Sequence, residues 1–244
     1  MGSAMSRCLL AVILLLVCCW VAASASVRVE PVLVEVEAPG SATTLTLRND
    51  DHQAIDVQIR IFRWSQSNGQ EHLEPTTDVV VSPPLTTLSR GAEYLVRVVR
   101  VAPRPVEGEE SYRVIVDEIP DRAASRSGIV KFALRYSIPV FFLAPQTPEP
   151  RLAWSIDRSG AHLVVAVQNS GGKRLRISNV KLRDSRGVTV SLRDGLVGYV
   201  LGGAAMRWPF RAALGAKLSG DTVRLTADTD SRPIDATIML GPGR

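Results

Sequence analysis

A regular alternation of apolar and polar residues runs through most of the chain after residue 26. In one segment Ile55, Val57, Ile59 and Ile61 alternate with polar residues, and the same period returns in many short stretches bounded by Gly, Pro, Asn and Asp. Successive side chains of a strand point to opposite faces of a sheet, so this period indicates strands with one buried face. No long segment has the period of an amphipathic helix. The sequence therefore predicts an all-β protein.

A proline-rich segment divides the chain. The stretch from Ala144 to Pro150 contains three prolines in seven residues, a density that excludes a central strand and favours a stiff, extended connection. Roughly seven alternating segments lie on each side of it, as expected for an immunoglobulin-like sandwich. We predict two immunoglobulin-like β-sandwich domains, 26–143 and 152–244, joined at an angle by a linker at 144–151.

The N-terminus has the pattern of an export signal. Arg7 precedes an apolar run from Cys8 to Ala23, and Ala23-Ser24-Ala25 supplies the small residues of a cleavage site. The run is short for a membrane span, so we predict a signal peptide at residues 1–25 that is removed on export. All three cysteines lie inside it, so the exported chain has no disulfide and no thiolate.

Chemical motifs are scarce. The three histidines (His52, His72 and His162) have no second histidine at metal-ligand spacing, and no nucleophile elbow or phosphate-binding glycine loop occurs. The net charge of +5 comes from basic residues interspersed with acidic ones, which indicates a solvated surface with room for one local anion site. We predict no catalytic set, metal site or cofactor, and no nucleic-acid or small-molecule substrate.

The first strand changes parity at Pro31. Val27 and Val29 share one parity, whereas Val32, Val34 and Val36 share the other. A break at the proline would allow the two halves to face different cores. An edge strand that merely contains a proline explains the pattern equally well.

One strand departs from the amphipathic pattern. Between Ile129 and Leu143 a single parity carries seven large apolar side chains: Val130, Phe132, Leu134, Tyr136, Ile138, Val140 and Phe142. The row spans roughly 40 Å at about 3.3 Å per residue, longer than an ordinary strand, and Pro139 places it at a sheet edge. Either it is the last core strand of the first sandwich, or its edge is lent to a partner sheet.

Several landmarks in the first domain occur in a specific order. Ser82-Pro83-Pro84, Leu88-Ser89-Arg90-Gly91 and the segment from Tyr112 to Pro120 are followed by the long apolar strand. In this order and spacing the chain resembles the periplasmic chaperones of the chaperone–usher pathway, the PapD-like family. The run from Arg135 to Val140 is similar to the archaic branch, whose pilins resemble spore coat protein U.

The resemblance implies a function. Members are boomerang-shaped pairs of immunoglobulin-like domains that complete an unfinished pilin subunit with a donated strand and deliver it to an outer-membrane usher. Carried over to this chain, the donor side chains are Val130, Phe132, Leu134, Tyr136, Ile138 and Val140. The implied location is the periplasm, the implied partners are pilin subunits and the usher, and an uncovered edge would let two unloaded copies associate.

The family's basic anchor is altered in this chain. Well-known members hold the subunit's C-terminal carboxylate with an arginine in the first strand and a lysine in the donor strand, and Leu33 and Pro139 stand at those places. A half-buried carboxylate needs a positive partner, and Arg113 and Arg135 are the candidates, although both could equally be solvated. Glu118 resembles the family's acidic landmark and implies an ion pair across the domain interface.

A different class of function remains open. A periplasmic sandwich that binds a carbohydrate or another ligand without catalysis predicts a concave aromatic patch. Only Trp64, Trp154 and Trp208 remain for such a patch after the signal is removed. A hydrolase is the third class, and the poverty of histidines argues against it.

Overall fold

A computed structural model describes residues 27–120, 133–159, 162–215 and 217–241. Within these ranges the chain forms seventeen strands and one four-residue helix, α1 (Ala212–Gly215), which confirms the all-β class. No helix in the described ranges has the length and apolar character needed to cross a bilayer. The predicted signal peptide at residues 1–25 lies outside the described residues.

The N-terminal domain is a sandwich of two sheets. One sheet has the order β1-β3-β8-β6, and the other has the order β2-β10-β9-β4-β5, with β7 beside β4. The strands are β1 (Val27–Glu30), β2 (Val34–Glu37), β3 (Ala42–Asn49), β4 (Ile55–Ser67), β5 (Gln70–Pro75), β6 (Val79–Ser82), β7 (Leu85–Leu88), β8 (Glu93–Arg100), β9 (Glu109–Ile119) and β10 (Arg135–Leu143).

The core of this domain follows the alternation in the sequence. Val57 and Ile59 of β4 face Val96 and Val98 of the opposite sheet, and all four are buried. Each such side chain contributes about 1.5–3 kcal/mol relative to exposure in water. The period of two therefore predicted the core strands correctly.

The parity switch in the first strand has a different cause from the one suggested by the sequence. β1 pairs with β3 in one sheet, and β2 pairs in parallel with β10 in the other. Val29 and Val34 nevertheless pack in the same core. The prediction that the two halves face different cores is wrong, because the chain changes sheets of one sandwich at Pro31.

The C-terminal domain is one sheet that wraps around a single core in the order β14-β13-β16-β17-β11-β12-β15. Two residue pairs join β11 to β17 in parallel, and the other pairings are antiparallel. The strands are β11 (Leu152–Ser159), β12 (His162–Asn169), β13 (Leu175–Asp184), β14 (Thr189–Val200), β15 (Ala205–Arg211), β16 (Thr222–Thr229) and β17 (Ile234–Gly241).

The linker between β10 and β11 is folded rather than extended. Pro145 and Gln146 form a turn, and Gln146 has a φ of 66°. The hydroxyl of Thr147 donates to the carbonyls of Ala144 and Gly108 at 2.8 and 3.0 Å. The prediction of an extended linker is therefore wrong: proline limits the backbone, but the turn and its hydrogen bonds tie the linker to the first domain.

Candidate functional site

Strand β10 lies at the edge of its sheet for half its length. It pairs with β9 from Arg135 to Leu143, but β2 covers its other side only from Val140 to Leu143. Among the described residues no strand lies beside Arg135–Pro139 on that side. This segment is an open sheet edge, referred to below as the β10 edge.

The backbone of the β10 edge alternates in direction. Glu118 donates its N–H to the carbonyl of Leu134 at 3.0 Å, so residues of the same parity as Leu134 direct their polar groups toward β9. Arg135 and Ser137 direct theirs away from β9. Pro139 has the same outward direction but no N–H to offer. The β10 edge thus presents two N–H groups in an antiparallel sheet.

The side chains along β10 divide into two groups. Ile138 and Val140 are 4% and 0% exposed in the core of their own domain, whereas Leu134, directly before the strand, is 36% exposed. The hydroxyl of Tyr136 donates to the carbonyl of Val27 and marks the boundary between the two. The expectation that Ile138 and Val140 are donor side chains does not agree with this burial, because both already fill the sandwich.

The remaining predicted donor residues precede β10. Val130 and Phe132 lie outside the described residues. Leu134 is the first apolar residue of their parity that the structure describes. Its exposure shows that Leu134 lies outside the domain core, which begins further along β10. The apolar row predicted from sequence therefore includes both residues that are buried in the domain core and residues N-terminal to them.

Glu118 does not lie where the sequence interpretation placed it. It is nine residues from Glu109 along β9, which corresponds to about 30 Å. Its carboxylate accepts from the backbone N–H of Leu134 at 3.4 Å. Glu109, at the other end of the strand, is the carboxylate of β9 that reaches the second domain, where it binds Arg174. Glu118 thus supports the start of the β10 edge.

An apolar cluster joins the two domains. Trp64, Phe141 and Leu143 of the first domain pack against Tyr199 and Leu201 of the second. The ring centroids of Trp64 and Tyr199 are 5.4 Å apart and nearly perpendicular, a favourable arrangement for aromatic rings. We call these five residues the interdomain cluster. Because it includes Phe141 and Leu143 of β10, it positions the second domain relative to the β10 edge.

Arg113 lies beside the interdomain cluster. It pairs directly with Pro139 across β9 and β10, and its guanidinium carbon lies 3.7 Å from the centroid of the Trp64 ring. The side chain is 14% exposed, and the nearest carboxylate oxygen among the described residues, on Glu71, is 3.9 Å away. Burial lowers the pKa of this guanidinium. The site therefore holds a positive charge that is only weakly neutralised.

The surroundings of Arg113 match the altered anchor. Leu33 packs against the interdomain cluster, and Pro139 is the cross-strand partner of Arg113. These are the two positions that the sequence resemblance assigns to the altered anchor. The indole N–H of Trp64, buried beside Arg113, donates to no acceptor among the described residues.

Arg135, the second candidate, has a different environment. Its Nε donates to Asp117, which also accepts from Arg60 at 2.6 Å. Its side chain is 66% exposed, and it lies four residues from Pro139 along β10, or about 13 Å. The structure does not bring the two predicted arginines together.

Sequence reasoning missed Arg174, which links the domains. Its side chain is 5% exposed, and it binds Glu109 at 2.5 Å and also Glu35. Its guanidinium carbon lies 3.7 Å from the centroid of Phe141. Burial raises the pKa of Glu109 to about 7, against the opposing hydrogen bond from the backbone N–H of Arg174. In sequence this arginine follows Gly171-Gly172-Lys173 and resembles an exposed turn residue.

A family model decides the identity of the fold. The model of the pili and flagellar-assembly chaperones, PapD N-terminal domain, matches residues 26–148. The chain belongs to this chaperone family. The landmarks in the sequence had led to the same family, and that prediction is confirmed. A search of curated proteins found no match.

Solved structures support the chaperone fold over both domains. The structure of the CsuC–CsuE chaperone–tip adhesion subunit pre-assembly complex of Acinetobacter baumannii contains a chain that is 22% identical, with a TM-score of 0.67, covering 89% of this chain and 100% of that one. The chaperone DraB of E. coli is 20% identical, with a TM-score of 0.56 and coverages of 86% and 98%. The Salmonella enterica complex of SafA pilin with the SafB chaperone contains a chain that is 17% identical, with a TM-score of 0.59. The match covers 87% of this chain and 96% of that one.

The chaperone family is not a family of enzymes, in agreement with the sequence analysis. In the described ranges no group of three or more His, Cys, Asp or Glu residues has the arrangement of a metal site. Trp64 is 2% exposed in the interdomain cluster, while Trp154 and Trp208 pack against the second core. These tryptophans do not form the open aromatic patch that a carbohydrate-binding module requires.

Proposed function

We propose that this chaperone completes an unfinished pilin subunit by donating the β10 edge and the residues before it. The observation that carries the proposal is the open edge at Arg135–Pro139. Strand β2 pairs with β10 only from Val140 onward and leaves these five residues without a neighbouring strand on that side among the described residues. An edge of this kind accepts another strand through backbone hydrogen bonds, while alternate side chains enter pockets of the partner. The donor side chains are then Val130, Phe132 and Leu134, with Tyr136 at the boundary.

The energetics favour a releasable complex. Burying three apolar side chains contributes roughly 5–9 kcal/mol at about 1.5–3 kcal/mol each. The loss of translational and rotational freedom costs about 4–15 kcal/mol. The apolar row alone therefore does not secure a subunit, and the complex depends on edge hydrogen bonds and a charged anchor as well. Such a complex can give up its subunit at an assembly site.

Arg113 is the proposed anchor for the subunit's C-terminal carboxylate. Among the described residues its guanidinium forms an ion pair with Glu71 alone, at 3.9 Å, and the buried indole N–H of Trp64 supplies a second donor. A carboxylate bound by a guanidinium forms strong, charge-assisted hydrogen bonds. Arg113 would then replace, from the neighbouring strand, the lysine that Pro139 displaces. Arg135 is disfavoured because Asp117 already engages it.

The proposed function also implies a cellular location and an assembly partner. We infer that residues 1–25 direct export and that the mature protein works in the periplasm. It would deliver archaic-type pilins, similar to spore coat protein U, to an outer-membrane usher. Without a subunit, the open edge would let two copies pair, since uncovered edges associate readily.

The test is co-expression with a pilin from the same operon, followed by co-purification. Phe132→Asp or Leu134→Asp is expected to abolish recovery of the subunit, because a charge would enter an apolar pocket. The control is Leu95→Asp, on the opposite sheet, where the side chain is 64% exposed. A stable complex with both donor variants would exclude strand donation.

A further inference from the structure

The charges of this chain are segregated by domain. Residues 26–143 contain thirteen basic and sixteen acidic residues, whereas residues 152–241 contain thirteen basic residues and seven aspartates. The expectation from sequence, that the two signs are interspersed, does not hold at this scale. The net charge is therefore 13 − 16 = −3 for the first domain and 13 − 7 = +6 for the second, so the excess positive charge is concentrated in the second domain.

The excess positive charge of the second domain is also less neutralised. Seven of the nine arginines in residues 27–120 form ion pairs within the first domain. In contrast, Lys181, Arg183 and Arg193 form none with any described residue. All three are exposed. Their charge is therefore available to a partner.

These three cations lie on one face of a four-stranded surface. Lys181 pairs with Thr226 and Arg183 pairs with Arg224 across β13 and β16, so the four side chains share a face. The same face carries Asp228 of β16, and Asp235, Thr237 and Met239 of β17. In β14 the alternating burial places Thr189, Ser191 and Arg193 on the exposed side as well. We call this face the basic face.

The remaining side chains of the basic face suit a phosphate-bearing surface. Its two acidic side chains are both engaged: Asp235 accepts from Arg224 at 2.6 Å, and Asp228 accepts from the amide of Asn179 at 2.8 Å. Threonine and serine hydroxyls between the cations can donate to phosphate oxygens. Met239 is 76% exposed, and such an apolar side chain can enter the headgroup region of a bilayer.

We propose that the basic face binds the anionic phospholipid surface of a membrane, a role distinct from the proposed subunit binding. A planar anionic surface attracts the second domain, with its net charge of +6, more strongly than the first, with −3, so it would orient the molecule with the basic face toward the lipid. An acidic polypeptide would need only a local cluster of cations. The segregation of charge over whole domains favours the extended surface.

The test is co-sedimentation of the mature chain with vesicles of phosphatidylglycerol and phosphatidylethanolamine, compared with phosphatidylcholine vesicles. We expect binding only to the anionic vesicles, weakened by added salt. The double variant Lys181→Gln, Arg183→Gln should lower the partition coefficient about 25-fold, since each basic side chain near an anionic membrane accounts for about fivefold.

The matched control is the double variant Arg90→Gln, Arg97→Gln in the first domain. Both arginines are exposed and form no ion pair with a described residue, so the change in net charge is the same. An equal loss of binding in this control would overturn the proposal. So would equal binding to phosphatidylcholine, or binding to polyglutamate without binding to anionic vesicles.

Discussion

Two arginines at the domain boundary, one buried and one partly buried, have different tasks. Arg174 is bound by Glu109 and Glu35, so its charge is used within the molecule. Arg113 is stacked on Trp64 with a single carboxylate at 3.9 Å. A buried charge without a close counterion is costly to maintain, and a residue kept in this condition is a candidate for binding an anion from outside.

Replacing Arg113 with Gln should weaken subunit binding without unfolding the chaperone. A hydrogen bond to a charged group is worth about 1.5–3 kcal/mol, so the dissociation constant should rise about 10–150-fold. Isothermal titration with a pilin subunit measures this change. The matched variant Arg135→Gln should change the dissociation constant much less.

A double-mutant cycle tests directly whether Arg113 contacts the subunit's C-terminal carboxylate. Amidation of the subunit's C-terminus should weaken binding to the unaltered chaperone but add little to the effect of Arg113→Gln. Fully additive losses would show that Arg113 and the carboxylate do not interact.

Replacing Arg174 with Met should destabilise the protein by about 3–5 kcal/mol, because the carboxylate of Glu109 is left buried without its partner. The side chain of Glu109 is 1% exposed. Urea unfolding followed by tryptophan fluorescence measures the loss. Adding Glu109→Gln to the variant should recover part of it, and a double variant as unstable as the single one would contradict this account.

The loss of stability in the Arg174→Met variant should also depend on pH, and the ionisation of Glu109 determines the direction of that dependence. Burial raises the pKa of this carboxyl from 4.5 to about 7, so the folded state holds the proton more tightly than the unfolded state. Stability from this group therefore falls as the pH rises from 4.5 through about 7. The Arg174→Met variant should accordingly be most destabilised on the alkaline side of that range.

At the scale of the element, the structure divides β10 into a core part and an edge part. The alternation of apolar residues is the same in both, because a core and a partner's pocket select the same side chains. The sequence could therefore predict the strand, its parity and its edge character from Pro139, but not the point at which the core ends. That point depends on where β2 stops, at Val140 in its pairing with β10, which is a long-range contact.

Other elements show the same limit. The strands of both cores were predictable, since a period of two fixes which face is buried. The turn at Pro145–Gln146 was not, because it is stabilised by Thr147 and by the carbonyl of the distant Gly108. Arg174 was equally hidden, as its partners are 65 and 139 residues away in sequence.

At the scale of the whole molecule, the interdomain cluster fixes the second domain beside the β10 edge. The amide of Gln66 strengthens this contact by donating to the carbonyl of Tyr199 and accepting from the N–H of Leu201, both at 2.9 Å. The hairpin between β4 and β5 adds a backbone hydrogen bond from Arg207 to Gly69. Arg113 and the β10 edge are thus held in one frame, as recognition of a strand and its terminal carboxylate together requires.

Residue-resolved hydrogen exchange of the chaperone, alone and bound to a pilin subunit, tests strand donation most directly. The N–H groups of Tyr136 and Ile138 point toward β9 and should be protected in both states, whereas those of Arg135 and Ser137 should exchange quickly in the free protein and become protected in the complex. Fast exchange at Arg135 and Ser137 in a complex that has formed would contradict the account, because the subunit would then be bound elsewhere.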